Sequence, residues 1–353
     1  MRYQFVFPSI AVIAGLVVIA SRGFAQDVSA APPETNNVRT VNLAFSKDGR
    51  LLHEIRWVNA AHLGQYGHVR AITYDAATGS IKHVLNLAPD TWFFSATSDG
   101  RTAVISVDRE RENAQAHLLL VDVETGRTQD IPSRWFDGDH NPYAQISGNG
   151  RLVSAYTDPG SEDCPLVVSV YNWRKKKLVA KQCMGYPAGG ISWGGVTVDG
   201  KIAFSNNRSG SEIVDPKTGQ WIARIGPNSY RSQDGAWVVD FPNPIISAPQ
   251  DVNIMDGLNG RVVRKLDVGI GDDMEYWAWA GAAFCGTSGR FIAATEKTVL
   301  AFEIPSGKKI ADFPPDTWQD PDAVKTRVTV ACSSNGKHVA IRSGARLTLH
   351  DLK

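Results

Sequence analysis

Short apolar runs alternate with polar turns along the whole chain at near-regular spacing. Seven runs close on an acidic or amide residue: Ala71–Asp75, Leu119–Asp122, Val168–Asn172, Glu212–Asp215, Val252–Asp256, Leu300–Glu303 and Leu347–Asp351. Their last residues stand 47, 50, 43, 41, 47 and 48 positions apart. Runs this short, rich in Val, Ile, Leu and Tyr and bounded by turn residues, predict β-strands. A second series lies upstream of each run: Asp48-Gly49, Asp99-Gly100, Asn149-Gly150, Asp199-Gly200, Asp234-Gly235, Ser288-Gly289 and Asn335-Gly336. Gly has no Cβ to clash at positive φ and Asn or Asp tolerates that region, so each turn predicts a two-residue hairpin. Downstream, segments such as Asp75-Ala-Ala-Thr-Gly79, Asp122-Val-Glu-Thr-Gly126 and Asp215-Pro-Lys-Thr-Gly219 predict a second hairpin whose carboxylate accepts backbone N–H bonds within the turn.

Two hairpins per period make four strands, and a period near 40–45 residues is about the length of a four-stranded propeller blade. The pattern therefore predicts an all-β chain, a seven-bladed β-propeller of four-stranded antiparallel blades over residues 38–353. Its last run ends as the third strand of a blade. The missing fourth strand is expected from the segment around Val38–Val41, because an open ring would leave two unpaired edges.

Residues 1–25 read as a secretory signal peptide, with Arg2, an apolar stretch from Phe5 to Ala20 and a small-residue cleavage site after Ala25. The alternative is an uncleaved membrane anchor. Residues 26–37, with Ala-Ala-Pro-Pro and few large apolar groups, are expected to be a flexible leader. The chain of 353 residues carries 37 basic and 36 acidic side chains, and loss of Arg2 and Arg22 with the signal leaves 35 basic ones. Such a balance gives no basis for a nucleic-acid partner or an anionic membrane surface. The expected location is periplasmic or secreted.

An oxidising compartment gives the four cysteines meaning. Cys164 and Cys183 flank the third-period hairpin at nearly equal distances from Arg174, and opposed antiparallel strands bring Cα atoms within disulfide reach. They are expected to be bridged. Cys285 and Cys332 each precede a turn glycine by the same interval, on adjacent blades. Side chains at equivalent places tend to point the same way round a ring, so these two are expected to be buried free thiols. No Cys-x-x-Cys or paired Cys/His spacing suggests zinc.

Leu118–Gly126 and Leu347–Lys353 resemble the end of a WD repeat, and Phe45-Ser-Lys-Asp-Gly-Arg50 resembles the Ser-Pro-Asp-Gly-Lys turn of bacterial propeller repeats. The chain is thus similar to the WD40-like or YVTN-like β-propeller superfamily, of the bacterial exported type, over essentially its mature length. It departs from true WD40 repeats in lacking any Trp-Asp dipeptide, and Gly67-His68 stands out of the usual place. The resemblance implies fold more than function, since such propellers include scaffolds, sensors, lactonases and quinoprotein subunits.

In that fold the connections of variable length gather on one face. Aromatic residues concentrate in them: Trp92, Trp135, Phe136, His140, Tyr143, Tyr186, Trp193, Tyr230, Tyr276, Trp277, Trp279 and Trp318. Any one ring can instead wedge between blades. As a group they form a candidate binding mouth, with Trp92, Trp135, His140, Tyr143, Trp193, Tyr276, Trp277 and Trp318 as the ligand-binding candidates. Asp137, Asp139 and His140, with His62 and His68 near the same mouth, and separately Asp272, Asp273 and Glu275, could offer oxygen and imidazole ligands to a cation such as calcium, although loop carboxylates of this kind are usually only hydrated. Arg174–Lys177 is a basic hairpin tip on the opposite face. Gly190-Ile-Ser-Trp-Gly194 fits Gly-x-Ser-x-Gly in letters only, since the glycine-rich run leads into an expected inner strand with no helix after it, and a phosphate-binding loop is absent from the sequence. Two function classes remain: an exported binding module for a protein or small ligand with no cofactor, and a lactonase-like hydrolase or quinoprotein-type dehydrogenase subunit using a loop-bound cation.

Overall fold

The computed structural model describes residues 26–27, 38–58, 68–87, 91–107, 117–132, 143–157, 163–164, 166–184, 193–196, 202–206, 210–215, 217–218, 221–225, 228–232, 236–241, 252–257, 260–266, 281–286, 289–294, 298–317, 319 and 328–352. The signal segment and most of the expected leader lie outside them. Among the described residues the chain is almost wholly β, with one short 3-10 turn at Pro315–Thr317. The strands form seven four-stranded antiparallel sheets. The first comprises Val38–Phe45, Leu51–Val58, His68–Asp75 and Ile81–Asn86. The second has Thr91–Ala96, Thr102–Val107, His117–Asp122 and Thr128–Ile131. Tyr143–Ile146, Leu152–Thr157, Leu166–Asn172 and Lys177–Met184 make the third. Four further strands, Trp193–Val196, Ile202–Asn206, Gly210–Val214 and Trp221–Ile225, make the fourth. The fifth runs Asn228–Arg231, Trp237–Phe241, Val252–Asp256 and Val262–Leu266. Gly281–Phe284, Arg290–Ala294, Val299–Glu303 and Lys309–Phe313 build the sixth. The seventh takes Thr329–Cys332, His338–Ser343 and Arg346–Asp351 from one end of the chain and Gln26–Asp27 from the other.

Every apolar run anticipated from the sequence falls on the third strand of its sheet. Neighbouring sheets pack face to face. The interior strands are therefore buried on both pleat faces, as Leu152–Thr157 is at every position, whereas the outer strand Ile81–Asn86 alternates between half-buried and exposed. Apolar clusters fill the seams. Ile55, Ala71 and Leu87 meet Ile105 and Val121 between the first and second sheets. Phe241 and Leu266 meet Phe291 and Phe302 between the fifth and sixth. Leu43, Leu52 and Tyr74 meet Ala331, Ala340 and Leu347 between the first and last.

Four expectations need correction. The closing strand is Gln26–Asp27, paired with Leu349 and Thr348, and not Val38–Val41. Val38–Phe45 is instead the first strand of the first sheet, where Leu43 and Phe45 are buried against the seventh sheet. The first two residues of the expected leader are thus part of a sheet.

The Asp-Gly and Asn-Gly turns at Gly49, Gly100, Gly150 and Gly336 are four-residue loops, while Asp199-Gly200 and Asp234-Gly235 lie outside the described residues. Ser46 N–H donates to Leu51 O and Gly49 N–H to Ser46 O, with φ +74° at Gly49 and no positive φ at Asp48. A hydroxyl two residues before the Asp or Asn explains the longer loop. Ser46 Oγ donates to Asp48 at 2.7 Å and accepts the Leu51 N–H at 2.9 Å. Thr97, Ser147 and Ser333 repeat this with Asp99, Asn149 and Asn335. The downstream hairpins are as expected: Asp75 Oδ1 accepts from Ala77 N–H, Thr78 N–H and the Thr78 hydroxyl, and Asp122 does the same at Glu124 and Thr125.

Both cysteine pairs are bridged, Cys164–Cys183 as expected and Cys285–Cys332 against expectation. The sixth and seventh sheets approach unusually closely at their first strands. A Cβ on Gly281 would stand 2.7 Å from Val328 O, and one on Gly286 2.9 Å from Ser334 Cα. That approach, along the small residues Gly281 and Ala283 on the face turned to the seventh sheet, brings the two cysteine Cα atoms to 4.8 Å and turns equivalent positions into partners. Non-reducing peptide mapping should recover both linkages. Replacing Cys285 and Cys332 together by Ala should cost about 2–4 kcal/mol in denaturant melts; recovery of both as free thiols from oxidising medium would refute the inter-sheet bridge.

Candidate functional site

In each sheet the connections between second and third strands, and those between one sheet's fourth strand and the next sheet's first, emerge at the same end. Three candidate aromatics lie in or at the start of a first strand, at that end. Trp92 is the extra residue of a register shift between Thr91 and Phe93. Tyr143 opposes Tyr156 and Trp193 opposes Ser205. Trp135, His140, Tyr276, Trp277 and Trp318 lie outside the described residues, as do Phe136, Tyr186, Trp279, His62 and the acidic candidates Asp137, Asp139, Asp272, Asp273 and Glu275. His68 opens the third strand of the first sheet, opposite Val58. Among the described residues no three His, Cys, Asp or Glu side chains gather in a way that could hold a metal ion.

Tyr230 shows the other use of a ring at this position. It opens the fifth sheet and packs edge-on to Phe241, with centroids 5.6 Å apart, and to Phe291 of the sixth sheet at 6.2 Å. There it closes a seam. The basic tip at the opposite end is exposed from Arg174 to Lys177, with the Arg174 guanidinium 5.5 Å from the Trp173 ring and Trp173 Nε1 donating to Gly150 O at 2.6 Å.

The structure also assembles a buried polar cluster that the sequence did not suggest. Glu54, on the second strand of the first sheet, is fully buried. Its Oε2 accepts from Arg56 Nη2 at 2.9 Å and from the Tyr74 hydroxyl at 2.6 Å. Arg342, on the second strand of the seventh sheet, brings Nε to 3.2 Å from Glu54 Oε1 and donates through Nη1 to Ala345 O. Burial and the adjacent carboxylate keep the Tyr74 hydroxyl protonated far above its ordinary range. With both oxygens engaged, this carboxylate is built to join two sheets and not to exchange protons with a substrate. The one sequence signal is a strand carrying His53, Glu54 and Arg56 where apolar alternation would be expected.

His53 is the second such group. Its side chain is buried, Nδ1 lies 3.0 Å from the Thr73 hydroxyl, and Nε2 lies 3.9 Å from the half-exposed Glu124 carboxylate of the second sheet. Desolvation dominates and pushes the imidazole down to about 4, against the opposing pull of Asp99.

No protein-family model matches the chain, and no curated protein does. A search of solved structures matches it to a chain in the crystal structure of a mitotic checkpoint complex, with TM-score 0.58, 12% identity and 99% of each chain covered. As many as 1088 solved chains match, so the likeness identifies a widely used architecture and selects no function. The fold is propeller-like.

Two outcomes follow for the buried groups. Glu54→Ala leaves two guanidinium groups facing one another in a dry seam and should cost about 3–5 kcal/mol in denaturant melts; a variant as stable as the parent would show that the network is not structural. For His53, the folded value lies below the unfolded one near 6.5, so the neutral form is the one the fold prefers. Stability is full above that unfolded value and declines as pH falls from there through about 4, by about 3 kcal/mol in all. Melts from pH 7 to 3.5 should flatten over this window in His53→Gln, and an unchanged slope would remove His53 as the cause.

Proposed function

We propose that this chain is an exported seven-bladed β-propeller that binds a protein partner through the loop-rich end of the ring. The seven sheets act as its blades, Gln26–Asp27 together with 38–353 as the propeller, and residues 1–25 as the signal that directs it to the periplasm or the medium. Two disulfides among the described residues suit an oxidising compartment. No helix of the described residues is long and apolar enough to cross a membrane.

The observation that carries the reading is the recurrence of an aromatic residue at the same place in successive sheets. Trp92, Tyr143 and Trp193 each sit where a variable connection enters a first strand, and Trp135, His140, Tyr276, Trp277 and Trp318 belong to the same connections in sequence. Rigid amphipathic rings supply contact area at low entropic cost and concentrate at protein-binding surfaces. The opposite end offers little to a partner, because its turn carboxylates and hydroxyls already serve their own loops.

The test uses the mature chain as bait in extracts of the exporting compartment, followed by titration of the purified partner. Trp193→Ala or Trp92→Ala, with an unchanged melting temperature, should weaken binding by about 2 kcal/mol or more, while Arg174→Ala with Lys175→Ala leaves it unchanged. Binding lost only in the Arg174 and Lys175 variant would place recognition at the wrong end for this reading.

A further inference from the structure

At the end opposite the loop-rich one, the third sheet keeps the turn chemistry of the others but removes its negative charge. Between first and second strands it carries Asn149 where the first and second sheets have Asp48 and Asp99. After its third strand it carries Asn172 where every other sheet has an acid: Asp75, Asp122, Asp215, Asp256, Glu303 or Asp351. It is the one sheet with an amide in both turns. The amide oxygens make the same bonds, Asn149 Oδ1 accepting from the Ser147 hydroxyl and Arg151 N–H, and Asn172 Oδ1 from Lys175 N–H. The turns are thus preserved and only the charge is lost.

The same turn holds the one non-Gly residue with positive φ among those described. Lys176 has φ +48°, at the place where the first, second, fifth and sixth sheets carry Gly79, Gly126, Gly260 and Gly307 at φ +67° to +70°. A Cβ there costs energy that Gly avoids, so a lysine kept at this position points to a use for its side chain. Arg151, Arg174, Lys175, Lys176 and Lys177 are all exposed, and none forms an ion pair with a carboxylate among the described residues. Cations elsewhere at this end are paired: Arg50 stands 3.8 Å from Asp48, Lys82 3.1 Å from Asp75, and Arg101 3.8 Å from both Asp122 and Glu124. The adjoining turns are balanced or acidic, with Arg101 and Arg127 against Asp99, Asp122 and Glu124 in the second sheet and Lys217 against Asp215 in the fourth. Positive charge is therefore concentrated at the third sheet's tip. Trp173 holds that tip in place, packing into the seam with the second sheet, donating Nε1 to Gly150 O at 2.6 Å and lying 5.5 Å from the Arg174 guanidinium.

We infer that this tip docks the protein on an anionic phospholipid surface. Successive cations at the apex of a hairpin splay outward, which suits a broad sheet of phosphate headgroups and not the enclosure of one small anion. Clusters of about four to eight Lys and Arg are what an anionic leaflet attracts, and the field is felt only within a Debye length, so the near-zero net charge of the chain does not oppose it. The Trp173 ring is half-buried with its N–H engaged, so attachment is electrostatic and reversible, without insertion. Docked in this way, the loop-rich end points away from the membrane.

The probe is co-sedimentation of the mature chain with vesicles of phosphatidylglycerol mixed with phosphatidylcholine, with phosphatidylcholine alone as control. The mixed vesicles should bind it and release it as salt rises. Lys176→Gly removes one cation and should weaken attachment about fivefold, while Lys175→Glu with Lys177→Glu should weaken it more than about tenfold. Because Gly relieves the positive φ, Lys176→Gly should also raise the unfolding midpoint, so its weaker attachment cannot come from unfolding. Equal binding to phosphatidylcholine alone, or attachment unchanged in both variants, would overturn the inference. Tighter saturable binding of duplex DNA than of the vesicles would overturn it in favour of nucleic acid, and saturable binding of inorganic phosphate alone in favour of a free anion.

Discussion

The seam between the first and last sheets is the constraint on which the rest depends. A row of sheets, each covering one face of the next, has two uncovered faces at its ends, and only closure removes both. Here closure joins residues near opposite ends of the described chain. Leu43 and Leu52 meet Ala340 and Leu347, the Ser334 hydroxyl donates to Lys47 O at 2.7 Å, and Arg342 reaches Glu54 across the same seam. A buried ion pair adds little net stability over apolar residues of similar volume. What it adds is position: a guanidinium enclosed in this seam can meet its carboxylate in one seating only, so the apolar faces on either side are brought together in one register. The pairing of Gln26–Asp27 with Arg346–Asp351 covers the outer edge of the same sheet.

The turns at one end of the molecule work differently, each satisfying itself. In four sheets the same hydroxyl and the same Asp or Asn side chain occupy the loop between first and second strands, and few hydrogen bonds pass from one turn to the next. Those that do among the described residues, including Ser98 N–H to Gly148 O, the Ser334 hydroxyl to Lys47 O and Arg290 Nη1 to Gly336 O, stitch adjacent sheets. Local satisfaction lets the device repeat regardless of its neighbours. It also leaves that end, outside the tip at Arg174–Lys177, with few polar groups to offer a ligand, so sequence change that alters recognition has to fall at that tip, at the other end or on the outer strands.

What the sequence revealed was whatever repeats. Four strands per period, the position of every third strand and the Asp75-type turns were readable because the same physics recurs in each sheet. Loop length was misread because Asp-Gly carries a two-residue signal, whereas the hydroxyl two positions earlier sets the longer loop. Cys285 and Cys332 were misread because spacing gives equivalence and not distance; the small residues Gly281 and Ala283, on the face turned to the seventh sheet, decide how near two first strands come. Val38–Val41 looked more strand-like than Gln26–Asp27, and it is a strand, but in another sheet. The Glu54 cluster needed Arg342, which no local window contains. At the candidate site, the sequence could assign aromatics to connections, yet whether a ring faces a partner or a seam depends on the adjacent sheet, as Tyr230 against Phe291 illustrates.

The outer strands carry the remaining freedom. An interior strand is fixed by two neighbours in its own sheet and by a sheet on each face, so nearly every substitution there disturbs packing. An outer strand has one backbone neighbour, and Val262–Leu266 is exposed at its first four positions. Such an edge invites pairing with other chains, and proteins usually blunt it with charge or with covering segments. The flanking Arg261, Arg264 and Lys265 provide the charge here, and like-charged edges repel one another. That repulsion disfavours two copies of the strand meeting edge to edge, so an exposed edge is guarded by the side chains that flank it.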